Sequence, residues 1–203
     1  MADDVNEWDD HADGWDDDPA ARAYSRAAFD SLTEPLSSCD ISLRGSTVID
    51  FGCGTGLLTE RLVAAGASVH AIDTSARMLS VLQGKVERAG WTGVTTGSVI
   101  PPPSPTSDLI VCSSVCSFLD DYPGTVAQLA AHLRPGGLFV QWDWERVDDD
   151  PHGLSRDEIV DALTRAGLGR VSVTPAFAER VGDVVMQPLI GWGQRPPQPS
   201  TAR

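Results

Sequence analysis

The chain has 203 residues and a formal net charge of −14, from 15 Lys and Arg against 29 Asp and Glu, with Lys85 its only lysine. That length suits one domain with a sizeable core, while the acidity argues against a nucleic-acid partner or an anionic membrane, both of which are bound through Lys and Arg. No apolar run approaches a membrane span, and the N-terminus is acidic where a secretion signal would be basic and then apolar, so a cytoplasmic protein without a membrane partner is expected.

Residues 1–18 form an acidic leader carrying Trp8, His11 and Trp15. Its charge is expected either to solvate a mobile end or to reflect a halophilic or high-GC source. Asp18-Pro19 reads as a cap followed by proline at the first helical position. Ala21, Tyr24, Ala28 and Leu32 then make one helix face. After a loop over 35–45, residues 46–51 read as a buried strand, and Leu57, Leu58, Leu62 and Ala65 recur at helical spacing up to Gly66. A second strand over 69–72 closes on Asp73, and a helix with Met78, Leu79, Leu82 and Val86 on one face ends at Gly90.

The third strand is expected at 94–96, before a stiff loop of Pro101, Pro102, Pro103 and Pro105. Residues 108–112 read as the fourth strand, 125–133 as a helix stopped by Arg134-Pro135-Gly136-Gly137, and 138–142 as the fifth strand. Ser155 and Glu158 have the spacing of a capping box, opening a helix through Ile159 and Leu163 to Gly167. Strands are expected at 171–177 and within 184–192, where Pro188 demands a bulge or a shortened strand. The stretch from Arg195 onward reads as a disordered tail. Alternating β and α elements predict a parallel sheet with helices on both faces and ligands at the carboxyl ends of its central strands.

Three alternate glycines, Gly52, Gly54 and Gly56, join the first strand to its helix. Glycine permits so sharp a turn and leaves the main chain open to a ligand, and the helix N-terminus behind it favours an anionic group. A dinucleotide fingerprint, G-x-G-x-x-G, requires glycine where Leu57 stands. Asp73 lies about 20 residues past the first glycine, where nucleotide folds bind ribose hydroxyls with a carboxylate. The four cysteines, Cys39, Cys53, Cys112 and Cys116, lack zinc spacing, so reduced thiols and no metal are expected.

Asp50 followed by G-x-G-x-G, the segment 73–79 with its acid, hydroxyl cap and Met-Leu, and the breaker at 133–137 resemble the motifs of class I S-adenosylmethionine-dependent methyltransferases. The resemblance covers roughly residues 8–194. It implies a Rossmann-like, doubly wound α/β sheet of seven strands, mostly parallel with an antiparallel last strand. The implied organisation is a leader at 1–18, the methyltransferase domain at 19–194 and a tail at 195–203. The implied cofactor is S-adenosyl-L-methionine, held by Asp50, Gly52, Cys53, Gly54, Thr55, Gly56, Asp73, Thr74, Met78, Ser98, Val99, Cys112 and Tyr24. Ser98 stands where the family often has an acid for adenine, so adenine recognition falls to its hydroxyl or to backbone near Val99.

The resemblance also implies a small-molecule acceptor at residues 113–118 and 142–145, with Trp142 and Trp144 as pocket walls. No pair of side chains reads as a strong base. Asp143, Glu145 and His152 are candidates, each expected to be a solvated loop residue, and the run Asp148, Asp149 and Asp150 is expected to face water. Methyl transfer to a small neutral acceptor by positioning and desolvation is therefore expected, proximity contributing roughly 7–11 kcal/mol, with the leader around Trp15 and Tyr24 as lid. A catalytically silent cofactor-binding protein of the same fold and, more remotely, a dinucleotide-dependent oxidoreductase are the alternative readings, and oligomeric state is open.

Overall fold

A computed structural model describes residues 8–147 and 153–197. Its strands are β1 (Thr47–Phe51), β2 (Ser68–Ile72), β3 (Val94–Gly97), β4 (Ser107–Ser113), β5 (Leu133–Asp143), β6 (Gly169–Pro175), β7 (Glu179–Val181), β8 (Val184–Met186) and β9 (Leu189–Gln194). Its helices are α1 (Pro19–Ser31), α2 (Thr33–Ser38), α3 (Leu57–Ala64), α4 (Ala76–Ala89), α5 (Tyr122–Ala130) and α6 (Arg156–Arg165). Seven strands form one sheet in the order β3-β2-β1-β4-β5-β9-β6, and β7 pairs with β8 in a separate hairpin. The first five are parallel, and β9 runs antiparallel to both β5 and β6.

Strand side chains alternate between faces, and this chain fills both. Val48, Leu109, Val111, Leu138 and Val140 pack under α1, α3 and α4, whereas Ile49, Ile110, Phe139 and Leu189 pack under α5 and α6. Local chemistry sets the helix starts. The Asp18 carboxylate accepts from the Ala20 N–H, with Pro19 at the first helical position. Ser75 caps α4, and Ser155 with Glu158 completes both halves of a capping box on α6. At the opposite end from the glycine turn, Asp108 accepts from the Thr47 N–H at 2.8 Å and from Arg134 at 2.6 Å, tying together the entries of β1, β4 and β5.

Three boundaries differ from expectation. The helix before β5 stops at Ala130, and β5 begins at Leu133, running through the Pro-Gly-Gly segment with a register shift opposite Ser107 to Leu109. The stretch 184–192 is split. Its first part pairs with β7, and β9 starts after Pro188, whose carbonyl accepts from the Ala176 N–H at 2.8 Å. Arg195 is also tied down rather than loose, exchanging main-chain hydrogen bonds with Gly136 at 2.9 Å and Gly137 at 2.8 Å.

Gly191 lies on β9 directly beneath α6, and a Cβ there would overlap Ile159 Cγ2. Gly191→Ala should destabilise the protein by about 1–3 kcal/mol, the usual range for overpacking. In urea denaturation, the double variant Gly191→Ala/Ile159→Ala should lose less than the sum of the two singles, because the truncated side chain frees the space.

Candidate functional site

The turn between β1 and α3 takes positive φ at Gly52 (+70°), Gly54 (+53°) and Gly56 (+86°). The three glycines meet different surroundings. A Cβ on Gly52 would lie 2.6 Å from Val115, and one on Gly56 would lie 2.5 Å from Leu82, so both are closed by the protein itself. At Gly54 the nearest such neighbour is Met78 Sδ at 3.9 Å, so this is the residue whose backbone is open to a ligand. Gly56 N-caps α3 without any side-chain cap, leaving the first amides of that helix without a side-chain acceptor.

Asp73 holds this turn in place. Its Oδ2 accepts from the Gly54 N–H at 2.8 Å and its Oδ1 from the Ser75 N–H at 2.9 Å. Burial, its largest influence, pushes its carboxyl above the ordinary range, against the pull of these two amides. Each oxygen retains acceptor capacity, so the carboxylate can still take a vicinal diol. Asp73 is therefore a structural clamp as well as a ligand candidate, a role that motif reasoning had not exposed. Thr74 is exposed beside it, and Ser98 and Val99 are exposed just past the end of β3, next to Asp73 through the Asp73 N–H to Gly97 carbonyl bond at 3.1 Å.

Asp50 is fully buried below the turn. Its Oδ2 accepts from Thr59 Oγ1 at 2.5 Å, while Oδ1 has no partner among the described residues. Burial pushes its pKa up to about 7, moderated by Thr59 and reinforced by Asp73. A buried carboxylate oxygen without a donor is costly, and the amino group of an S-adenosylmethionine methionine end is a donor of matching charge. The open Gly54, the orphaned oxygen of Asp50 and the spare acceptor capacity of Asp73 together fit that cofactor.

Other expected contacts are placed as follows. Cys53 is buried, its N–H donating to the Ile72 carbonyl at 3.1 Å. Met78 is buried beneath Gly54. Cys112 has no exposed surface and packs in the cluster under α5. Tyr24 belongs to the opposite cluster and accepts from Ser114 Oγ at 2.8 Å, which sets it beside the end of β4 rather than over the glycine turn. Trp142 is fully buried and donates to Ser31 at 2.8 Å, so it is core and not a pocket wall. Trp144 is 38% exposed.

The leader does more than solvate an end. Its Asp16 accepts from Thr55 Oγ1 at 2.6 Å and pairs with Lys85 at 2.5 Å. Asp9 accepts from the Ser75 hydroxyl, and Asp13 pairs with Arg77. Trp8 packs edge-on against Phe118, with ring centroids 5.4 Å apart. Residues 8–18 thereby reach the glycine turn, the head of α4 and the loop after β4 at once.

Asp143 is also fully buried, not solvated as expected. Its Oδ1 accepts from the Ser117 N–H at 3.1 Å and its Oδ2 from Gln141 Nε2 at 2.9 Å, while Gln141 Oε1 accepts from Tyr122 at 2.8 Å. Burial dominates here too and pushes its pKa up to about 7. The signal was present in the sequence: Gln141 and Asp143 share a face with Phe139 in an otherwise apolar strand. Glu145 is exposed and held by Arg156 at 2.7 and 3.2 Å, which lowers its pKa. His152, Asp148, Asp149 and Asp150 lie outside the described residues.

Residues 49–139 match a family model described as a methyltransferase domain. With the sheet order and the acid–glycine turn, this match supports a likeness to the class I S-adenosylmethionine-dependent methyltransferases. It is 31% identical over 171 residues to a trans-aconitate 2-methyltransferase of Azoarcus sp., covering 81% of this chain and 64% of that protein. A ubiquinone biosynthesis O-methyltransferase of Methylocella silvestris is 35% identical over 100 residues, 48% of this chain and 39% of the relative. The chain thus spans less than two thirds of these curated relatives. Among solved structures, a SAM dependent methyltransferase from Aquifex aeolicus shares the fold at TM-score 0.65 and 24% identity, over 88% of this chain and 94% of its own. The magnesium protoporphyrin IX methyltransferase of Synechocystis with bound SAM does so at TM-score 0.62 and 20% identity, over 82% and 77%.

The two buried acids give the unliganded protein a specific pH dependence. Each has a folded pKa near 7, whereas an unfolded aspartate titrates near about 3.9. The unfolded chain therefore holds fewer protons through this window, and stability should fall as pH rises from about 4 to about 7 and then level off. Urea midpoints measured across that range should show the decline, and Asp50→Asn or Asp143→Asn should each flatten part of it.

Proposed function

We propose that this chain transfers the methyl group of S-adenosylmethionine to a small-molecule acceptor. The observation that carries the reading is the pairing of Asp50, buried with one oxygen orphaned, with an open Gly54 that Asp73 holds in place. When bound, the cofactor supplies a sulfonium methyl already activated for in-line displacement. The protein's task is then alignment and exclusion of water. Among the described residues, no side chain at the pocket end reads as a free strong base. Asp143 has both oxygens hydrogen-bonded and no exposed surface, and Glu145 is held by Arg156. Catalysis by positioning and desolvation follows, with residues 8–18 as the lid over a domain spanning residues 19–194. The relative named as an O-methyltransferase favours oxygen as the accepting atom. No helix among the described residues is long and apolar enough to cross a membrane, and the composition supports a cytoplasmic setting.

Thermal unfolding tests the cofactor. S-adenosylmethionine and S-adenosylhomocysteine should each raise Tm, with stabilisation of about 2.7 kcal/mol at a hundredfold excess over Kd, and NAD and NADP should not. A shift with NAD alone would contradict the reading.

A further inference from the structure

At the carboxyl ends of β4 and β5, beside the glycine turn, three rings from distant parts of the chain meet. Tyr24 of α1 lies 5.7 Å from Trp144, just after β5, and 5.2 Å from Phe177, just after β6, measured between ring centroids. The Tyr24 hydroxyl accepts from Ser114, and Ser114 is held in a positive-φ conformation (+53°) with its N–H on the Trp142 carbonyl at 2.8 Å. Val115, the next residue, stands against Gly52. An aromatic cluster therefore adjoins the cofactor turn, with Tyr24 buried and hydroxyl-bearing at its base, Phe177 partly buried and Trp144 on its exposed side.

The nearby charges are committed elsewhere. Arg26 pairs with Glu179, Arg146 with Glu158, and Arg156 with Glu145. Arg22 lines a separate cleft with Asp16 and Lys85. Arg180 is exposed on β7 between Glu179 and Val181, and Val181 packs on the core, so alternation turns the Arg180 side chain away from the rings. Asp143 lies buried behind Ser114 and Ser117. A molecule with several carboxylates would meet aromatic faces and a buried acid, without a free cation among the described residues to hold it. A protonated amine has no lone pair to offer and would sit beside the positive sulfonium. A flat uncharged ring can stack on this surface.

Resting on the methyltransferase reading, we propose that the acceptor is an uncharged aromatic alcohol seated against Tyr24, Trp144 and Phe177, with its hydroxyl at Ser114. An acceptor oxygen lone pair forms the new O–C bond as the C–S bond breaks. The bonding pair of C–S stays on sulfur to leave a neutral thioether, and the hydroxyl proton is released to water.

Catechol, 3,4-dihydroxybenzoate and aconitate, offered to the full chain saturated with S-adenosylhomocysteine, test this in calorimetry, and label transfer from S-adenosylmethionine supplies a second readout. Catechol should bind and be methylated. The added carboxylate of 3,4-dihydroxybenzoate should weaken binding about tenfold, or roughly 1.4 kcal/mol, and aconitate should neither bind nor accept label. Trp144→Ala and Phe177→Leu should each weaken catechol while leaving S-adenosylhomocysteine affinity unchanged. Preference for either carboxylate, no binding of catechol, or catechol affinity indifferent to both variants would overturn the assignment with the methyltransferase reading intact. Failure of S-adenosylhomocysteine itself to bind would overturn both.

Discussion

The Asp73 carboxylate, accepting from the Gly54 and Ser75 amides, is the contact on which the site depends. It joins the glycine turn after β1 to the head of α4 after β2 by direct hydrogen bonds, where their other meetings are packing of Met78 and Leu82 against the glycines and the bridge through Asp16. The turn itself is poorly braced, since Gly52, Gly54 and Gly56 all take positive φ and glycine carries the largest entropic cost of ordering. Two charge-assisted hydrogen bonds on one half-buried acid offset that cost. With the turn so fixed, Gly54 is left open, and Asp50 sits beneath it with one oxygen free.

Around this clamp the protein places carboxylates that burial keeps reluctant to ionise. Asp50 and Asp143 are both enclosed by strands on either side, one at the end of β1 and one at the end of β5. The first awaits a donor, whereas the second already has its donors from Gln141 and Ser117. Their different satisfaction points to different roles: Asp50 toward a bound ammonium, Asp143 toward holding the loop that carries Ser114 and Val115.

Much of this was legible in the sequence, because its signals are local. The strand–glycine–helix turn, the Asp18 and Ser155 caps, and alternating strands such as Val48 and Ile49 each announce themselves within a few residues. What was not legible depends on long-range contacts. The grip of Asp16 on Thr55 and the meeting of Tyr24 with Phe177 arise from chain crossings that no spacing encodes. Pro188 was read correctly as an interruption, yet the separate β7–β8 hairpin it permits was not foreseen. Trp142 and Trp144 looked equivalent, but β5 ends at Asp143, so only the first lies within the sheet and in the core, where its ring N–H finds Ser31.

The leader and the glycine turn are two halves of one ligand-binding unit in this account, since Asp16 bridges Thr55 and Lys85 while Asp9 meets Ser75. Amide hydrogen exchange with and without saturating S-adenosylhomocysteine tests that unity most directly. Exchange should slow together in residues 8–18, in 52–56 and in 73–78, since closing the leader and filling the turn are one event. Unchanged exchange at 52–56, or protection there while 8–18 exchange as before, would contradict it.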